Sequence, residues 1–308
     1  MVELRKTGEV ILRFSWKHAG SILPPGAVYR SFTLPGIWAS QFGYIGSLAC
    51  RRTRRYTPQP MHTAFEQLDH RPWPVPKRRW TWRQSWRDLA FLHWPVPVAA
   101  LRPHIPARLT VQQYDGTAWL GIVPFRMAGV MRRPFPDMPG ISAFPELNVR
   151  TYVDIGEGQS RPGVWFFSLD ATNRLAVWAA RRFFHLPYYR AAIEIDETDG
   201  AYAYSNRRKG GQANFVATYR PTSEVYLAKP DTLEQWLTER YCLYAETPKG
   251  KLLRAEVHHH AWPLQEASVS ISENDMMPGL GVDLVGAPST VHFSKRIDVA
   301  VWSPEPVG

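Results

Sequence analysis

Four residues at alternate positions of one short segment, Glu146, Asn148, Arg150 and Tyr152, carry an acid, an amide, a guanidinium and a phenol. The segment Phe144-Pro145-Glu146-Leu147-Asn148-Val149-Arg150-Thr151-Tyr152-Val153 alternates polar and apolar residues. In a strand, successive side chains point to opposite faces, so the four polar groups share one face while Leu147, Val149, Thr151 and Val153 share the other. This is not the Lys/Glu/Thr mixture of a solvated strand. Arg150 can hold a carboxylate in a bidentate grip. Glu146 can carry a proton if burial raises its pKa, and Asn148 can orient a carbonyl. Two blander readings stand beside this one: the face meets water, or Glu146 and Arg150 neutralise each other.

A second group lies around Phe184-His185-Leu186-Pro187-Tyr188-Tyr189, where a helical stretch ends. Here His185, Tyr188 and Tyr189 are candidates to line the same site. A third group is Glu256-Val257-His258-His259-His260, in which His258 and His260 share a strand face and have the donor type for zinc with His185 or His292. No second pair stands at ligand spacing, so packing or hydrogen bonding is the preferred role for these histidines and no metal is expected. The chain has no Gly-rich phosphate loop, hence no nucleotide cofactor is expected, and it lacks a Gly-x-Ser-x-Gly elbow.

These groups need elements to position them. Alternation predicts strands near 118–127, 146–153, 164–169, 191–195, 213–219, 252–260, 267–271 and 291–302. Leu175, Trp178, Ala179 and Phe183 recur at helical spacing between a cap at Thr172 or Asn173 and the stop at Pro187. Leu233, Trp236, Leu237 and Tyr241 do the same after Asp231, with Glu234 completing a capping box. A shorter helix is predicted over Val98 to His104. Runs of strands with a few isolated helices indicate an α+β fold that is predominantly antiparallel β. The tryptophans at 73, 80, 82 and 86 and the aromatics at 165–167 read as core or covering layers.

The net charge of +10 is unevenly spread: residues 1–60 carry nine basic and two acidic residues, which leaves only +3 for the remainder. The cluster Arg51, Arg52, Arg54 and Arg55 therefore reads as a solvated run, and nucleic acid is not an expected partner. Two cysteines, Cys50 and Cys242, make no disulfide framework, which fits a reducing cytoplasm. Arg, Pro or Gly interrupts every apolar stretch, so no membrane span is predicted. Residues 1–60 mix Gly and Pro without a period. They are read as a poorly ordered extension, with Met61 as a candidate natural start, and residues 61–308 as a single domain. A homo-oligomer is compatible with the sequence, which does not fix the state.

Phe144-Pro145-Glu146-Leu147-Asn148-Val149-Arg150, the helix start Asn173-Arg174-Leu175, Leu186-Pro187-Tyr188 and Leu237-Thr238-Glu239-Arg240-Tyr241 resemble the bacterial YqjF-like family of unknown function, over about His70 to Trp302. More remotely, the order of Glu-bearing strand, next strand, Asn-started helix and aromatic-x-x-Pro turn resembles the acetoacetate decarboxylase-like superfamily. That resemblance implies a β-rich cone or barrel around a central cavity with flanking helices. It also implies that Glu146 matches an active-site glutamate and that Tyr188 stands where the decarboxylases carry their Schiff-base lysine. A phenol forms no imine with a ketone, so Schiff-base decarboxylation is not expected, and Lys77, Lys209 and Lys295 sit in no comparable turn. Two readings follow. One is an enzyme acting on a small carbonyl or carboxylate compound, with Glu146 and Tyr188 catalytic and Asn148, Arg150, His185 and Tyr189 binding. The other is a ligand-binding or regulatory module without turnover.

Overall fold

The computed structural model describes residues 2–4, 10–12, 63–137, 142–156, 158, 160–211, 213–277, 284 and 286–307. The chain divides into two units, Met1–Thr57 and Pro58–Gly308. In the first, β1 (Val2–Leu4) and β2 (Val10–Leu12) form a short antiparallel ladder, regular structure not foreseen for residues 1–60. Cys50, the arginine cluster at 51–55 and Met61 lie outside the described residues.

The second unit contains, in chain order, β3 (Trp82–Val96), α1 (Val98–Leu101), β4 (Thr110–Val111), β5 (Ala118–Arg132), β6 (Phe144–Asp154), β7 (Gly163–Ala171), α2 (Arg174–Phe184) and β8 (Tyr188–Thr198). It continues with β9 (Ala201–Arg208), β10 (Asn214–Pro221), α3 (Leu233–Thr238), β11 (Cys242–Glu246), β12 (Leu252–His258), β13 (Gln265–Asn274), β14 (Thr290–Val301) and β15 (Glu305–Pro306). Among the described residues no helix is long and apolar enough to cross a membrane.

These strands form one sheet, ordered β15-β12-β11-β7-β8-β9-β10-β13-β14-β3-β5-β6-β4, and further pairings of β6 with β7 and of β12 with β14 close it on itself. The closure makes two rings. One passes through β8, β9, β10 and β13, the other through β11 and β12, and both share the wall β7-β6-β5-β3-β14. The antiparallel β-rich barrel with flanking helices is therefore the observed architecture. Among the described pairings only β7 with β8 and β7 with β11 are parallel. The first is the parallel pair that α2 connects.

The shared wall sorts side chains by parity. From β6, Leu147, Val149 and Val153 enter a core with Ile193, Tyr204, Phe215 and Phe293, which fill the ring of β8–β10 and β13. Burying such side chains contributes about 1.5–3 kcal/mol each. Glu146, Asn148 and Arg150 face the other way, into the ring of β11 and β12, among Phe91, Phe125, Leu169, Val257 and Trp262. The second interior contains a cavity.

Each predicted strand exists, extended by one to five residues at most of its ends. Strands β3, β9 and β11 and the two-residue strands β4 and β15 were not foreseen. In β3 the run Leu89, Ala90, Phe91, Leu92 is buried on both faces, because it separates the two interiors, and so shows no alternation. Its register also shifts between Arg87 and Leu92, where Asp88 takes φ 50°, and such a bulge changes which residues face which side.

Helix α2 starts where predicted: the Asn173 side chain accepts from the backbone N–H groups of Leu175 and Ala176. Of its predicted stripe only Ala179 faces inward, however. Leu175, Trp178 and Phe183 are more than half exposed, while Ala176, Ala179, Ala180 and Phe184 look onto the cavity. Alanines leave room that the larger side chains would fill. For α3 the cap is Thr232 rather than Asp231, and no capping box forms; Thr232 instead donates to the Lys229 carbonyl, and Gln235 accepts from the Asp231 N–H.

Candidate functional site

The cavity of the β11–β12 ring has a volume of about 180 Å³. Its walls are mostly aromatic and aliphatic, from β3, β5, β7 and α2, and its polar groups are few. Glu146, Asn148 and Arg150 line it from β6, Tyr188 from the start of β8, Thr238 from the last position of α3, Arg240 from just after it, and His259 from just beyond β12. A mostly apolar pocket with a small set of placed polar groups is the usual form of a small-molecule site.

Glu146 is only 2 % exposed. Across β7, the Tyr188 hydroxyl donates to Glu146 Oε2 at 2.9 Å, and Arg181 of α2 fixes Tyr188 by donating from Nε to its carbonyl oxygen at 2.5 Å. Burial pushes the Glu146 carboxyl up to about 8, against the lowering effect of the Tyr188 hydrogen bond and with a further push from Asp170. At neutral pH this carboxyl holds its proton. Burial and the neighbouring carboxyl likewise raise the Tyr188 phenol well above its ordinary value. Asp170 itself is bound by Arg208 Nε at 2.9 Å and Asn206 Nδ2 at 2.8 Å.

Glu146 and Arg150 do not pair. No ion pair joins them among the described residues, and Arg150 is not one of the groups that shift Glu146. The Arg150 guanidinium lies 5.2 Å from the Phe91 ring centroid and 5.8 Å from that of Tyr152, and its Nη2 donates to the Leu237 carbonyl at 3.4 Å. Arg240 shares the Tyr152 ring, at 4.9 Å from its centroid, and lies 4.3 Å from that of Trp236. Its Nη1 donates to Gln112 Oε1 at 2.7 Å. Burial, with help from the Arg150 charge, lowers Arg240 to about 10. Both guanidiniums are thus buried, charged and without a carboxylate partner among the described residues. Arg150 Nε, Arg240 Nε and Nη2, and Asn148 Oδ1 have no hydrogen-bond partner there either.

Backbone geometry makes space for this. Gly121 stands opposite both His93 and Arg150, and a Cβ there would lie 3.1 Å from the His93 ring and 3.4 Å from Arg150 Cγ. His93 Nε2 in turn meets the Tyr152 hydroxyl at 2.6 Å. Burial and the Arg150 charge keep His93 well below its ordinary pKa, so it is a neutral ring.

Of the residues singled out by sequence, Glu146, Asn148, Arg150 and Tyr188 meet at the cavity. His185 and Tyr189 do not. His185 caps α2 in the left-handed region at φ 55° and borders a separate hollow with His104, Trp165 and Phe167. Tyr189 follows Tyr188 on the strand and points to the other face, where its exposed ring lies under Arg208 at 4.1 Å. The histidine cluster also divides. His258 stacks on His70 at 5.7 Å, whereas His259 reaches the cavity with its Nδ1 2.6 Å from the His260 carbonyl. No group of three His, Cys, Asp or Glu side chains able to hold a metal forms among the described residues. Sequence reasoning missed Arg240 and His259 as site residues. The only signal for Arg240 was its place in the Leu237–Tyr241 segment that carries the family resemblance.

Residues 83–298 match DUF2071, a family of uncharacterized conserved proteins. The chain is 42% identical over 238 residues to "Uncharacterized protein YqjF" of Bacillus subtilis (strain 168), covering 77% of this chain and 97% of that protein. Among solved structures it is similar to the enduracididine biosynthesis enzyme MppR complexed with pyruvate, with a TM-score of 0.52 at 12% identity, covering 74% of this chain and 90% of that one. It is also similar to acetoacetate decarboxylase from Legionella pneumophila, with a TM-score of 0.50 at 13% identity, covering 77% and 93%. At these identities the likeness is one of fold.

Proposed function

This chain belongs to the DUF2071 family, and on that footing we propose that it binds a small organic acid in the cavity of its second ring and exchanges a proton with it through Glu146. The observation that carries this reading is the buried carboxyl held at about 8 by desolvation, with its hydroxyl partner Tyr188 at 2.9 Å. A carboxyl poised near neutral pH can both give and take a proton there. Tyr188 acts as the hydrogen-bond donor that steadies the carboxylate once the proton has left. Arg150 holds the acid's carboxylate, and Asn148 orients the group between them.

The chemistry proceeds without an imine. The resemblance implies that Tyr188 stands where the decarboxylases carry their lysine, and the described residues lining the cavity include no lysine. Lys295 is engaged elsewhere, with Asp88 at 2.9 Å and Tyr202 at 2.7 Å. MppR was solved with pyruvate, and that observation on a distant relative supports an acid as the ligand of this cavity. The buried free thiol of Cys242 suits a reducing cytoplasm.

The test has two arms. Native mass spectrometry of the purified protein should find a carried organic acid that Arg150→Met loses, and borohydride added with a keto acid should trap no covalent adduct. A borohydride-stable adduct on any lysine overturns the non-imine reading. Retention of the acid by Arg150→Met overturns the anion role.

A further inference from the structure

Where the site puts its charges limits the length of what it binds. Glu146 and Arg150 are four residues apart on one strand face, a separation of about 13 Å along the strand. Their side chains do not converge. Arg150 leans on Phe91 and Tyr152 and reaches the Leu237 carbonyl, whereas Glu146 turns to Tyr188, and Arg150 is not among the groups that shift Glu146. A three-carbon acid, with bonds of about 1.5 Å, is too short to touch both.

A second cation sits at the Arg150 end. Arg240 is 7 % exposed and Arg150 8 %; both lie against the Tyr152 ring, and each has at least one guanidinium nitrogen without a partner among the described residues. Two buried like charges so close are costly unless an anion joins them. Between this end and Glu146 the wall is apolar, including Phe91, Phe125, Leu169 and Trp262. The volume of about 180 Å³ slightly exceeds the roughly 150 Å³ of an apolar cavity that accommodates benzene. It holds a ring or a six-carbon chain together with its end groups.

We infer that the ligand is an elongated acid: a carboxylate gripped jointly by Arg150 and Arg240, an apolar body of about six carbons along the aromatic wall, and a carbonyl or hydroxyl at the far end under Glu146 and Tyr188. The inference rests on the proposed acid binding and adds to it the second anchor, the apolar body and the length. Arg240 becomes a binding residue, and short keto acids become poor ligands. The apolar body takes its share of the affinity from leaving water for the aromatic wall.

Calorimetric titration of the full chain with acetoacetate, 4-oxopentanoate, 7-oxooctanoate and the methyl ester of the last distinguishes the cases. Affinity is expected to rise at least tenfold from acetoacetate to 7-oxooctanoate, and to fall at least tenfold on esterification and in both Arg150→Met and Arg240→Met. Circular dichroism and thermal melting of the two variants check that they fold, and 4-acetylbenzoate provides a rigid and somewhat shorter second probe. Acetoacetate binding as tightly as 7-oxooctanoate, with the loss in Arg150→Met retained, overturns the elongated ligand and leaves acid binding standing. An ester that binds as well as the acid overturns the anion grip. If neither the short nor the long acids bind, acid binding itself falls, and the inference with it.

Discussion

The hydroxyl of Tyr188 donates to Glu146 Oε2 at 2.9 Å across the strand that separates them, although the residues are 42 positions apart in the chain. This bond lowers the Glu146 pKa while burial raises it, and burial is the larger effect. Tyr188→Phe removes the donor and leaves the burial, so the Glu146 pKa should rise above about 8. Carbon-13 NMR of glutamate-labelled protein, titrated from pH 5 to about 10, reads the change directly. A downward shift would contradict the assigned balance.

The same carboxyl makes stability depend on pH. Its folded pKa of about 8 lies above the ordinary carboxyl value of about 4.5, so between these values the folded state binds the extra proton and is favoured by acid. Stability contributed by this group is full below the unfolded pKa and is lost as pH rises through the folded one, with a limiting slope of about 1.4 kcal/mol per pH unit. Glu146→Gln keeps the shape and removes the titration. Denaturant melts should therefore show the variant gaining on the wild type as pH goes from 5 to about 9.

Arg150 is buried without a carboxylate partner among the described residues, which marks it as kept for a ligand rather than for the fold. Replacing such a charge by an apolar side chain of similar length removes a desolvation cost. Arg150→Met should leave the ligand-free protein as stable as the wild type or more stable, by about 1 kcal/mol or more. Thermal melting of ligand-free protein decides it, and a loss of 3 kcal/mol or so would assign Arg150 a structural role.

Gly163 of β7 stands directly against Cys242 of β11. A Cβ there would stand 2.6 Å from Cys242 Sγ and 2.8 Å from the Cys242 carbonyl oxygen, and the backbone atom cannot swing aside as a side-chain end can. Gly163→Ala should cost about 1–3 kcal/mol by overpacking, read from the shift of the urea midpoint at constant slope.

The alternation in Phe144 to Val153 was sufficient to place Glu146, Asn148 and Arg150 on one face, because a strand has a period of two whatever surrounds it. That this face looks into a cavity rather than water was not legible there. It follows from the pairings of β6 with β7 and of β12 with β14, which join residues far apart in sequence. The helix α2 was legible from its period and the Asn173 cap, but its orientation was not. Leu175 and Trp178 are turned outward for the sake of an internal volume that no local pattern encodes. Arg240 escaped notice because an arginine after a short helix looks like a surface residue until Tyr152 and Trp236 are seen to enclose it. His185 and Tyr189 were grouped with Tyr188 by nearness in sequence. A left-handed residue at 185 and the alternation of β8 carry them to other faces.

The wall shared by the two rings divides the labour of its strands by residue parity, and that gives this scaffold a practical grammar for redesign. On β6, positions 146, 148 and 150 can be randomised together as an editable register for new ligands, while 147, 149 and 153 are held constant as the frame that keeps the packed ring intact. A library built on the first set explores recognition on an unchanged chassis; one built on the second perturbs the chassis itself.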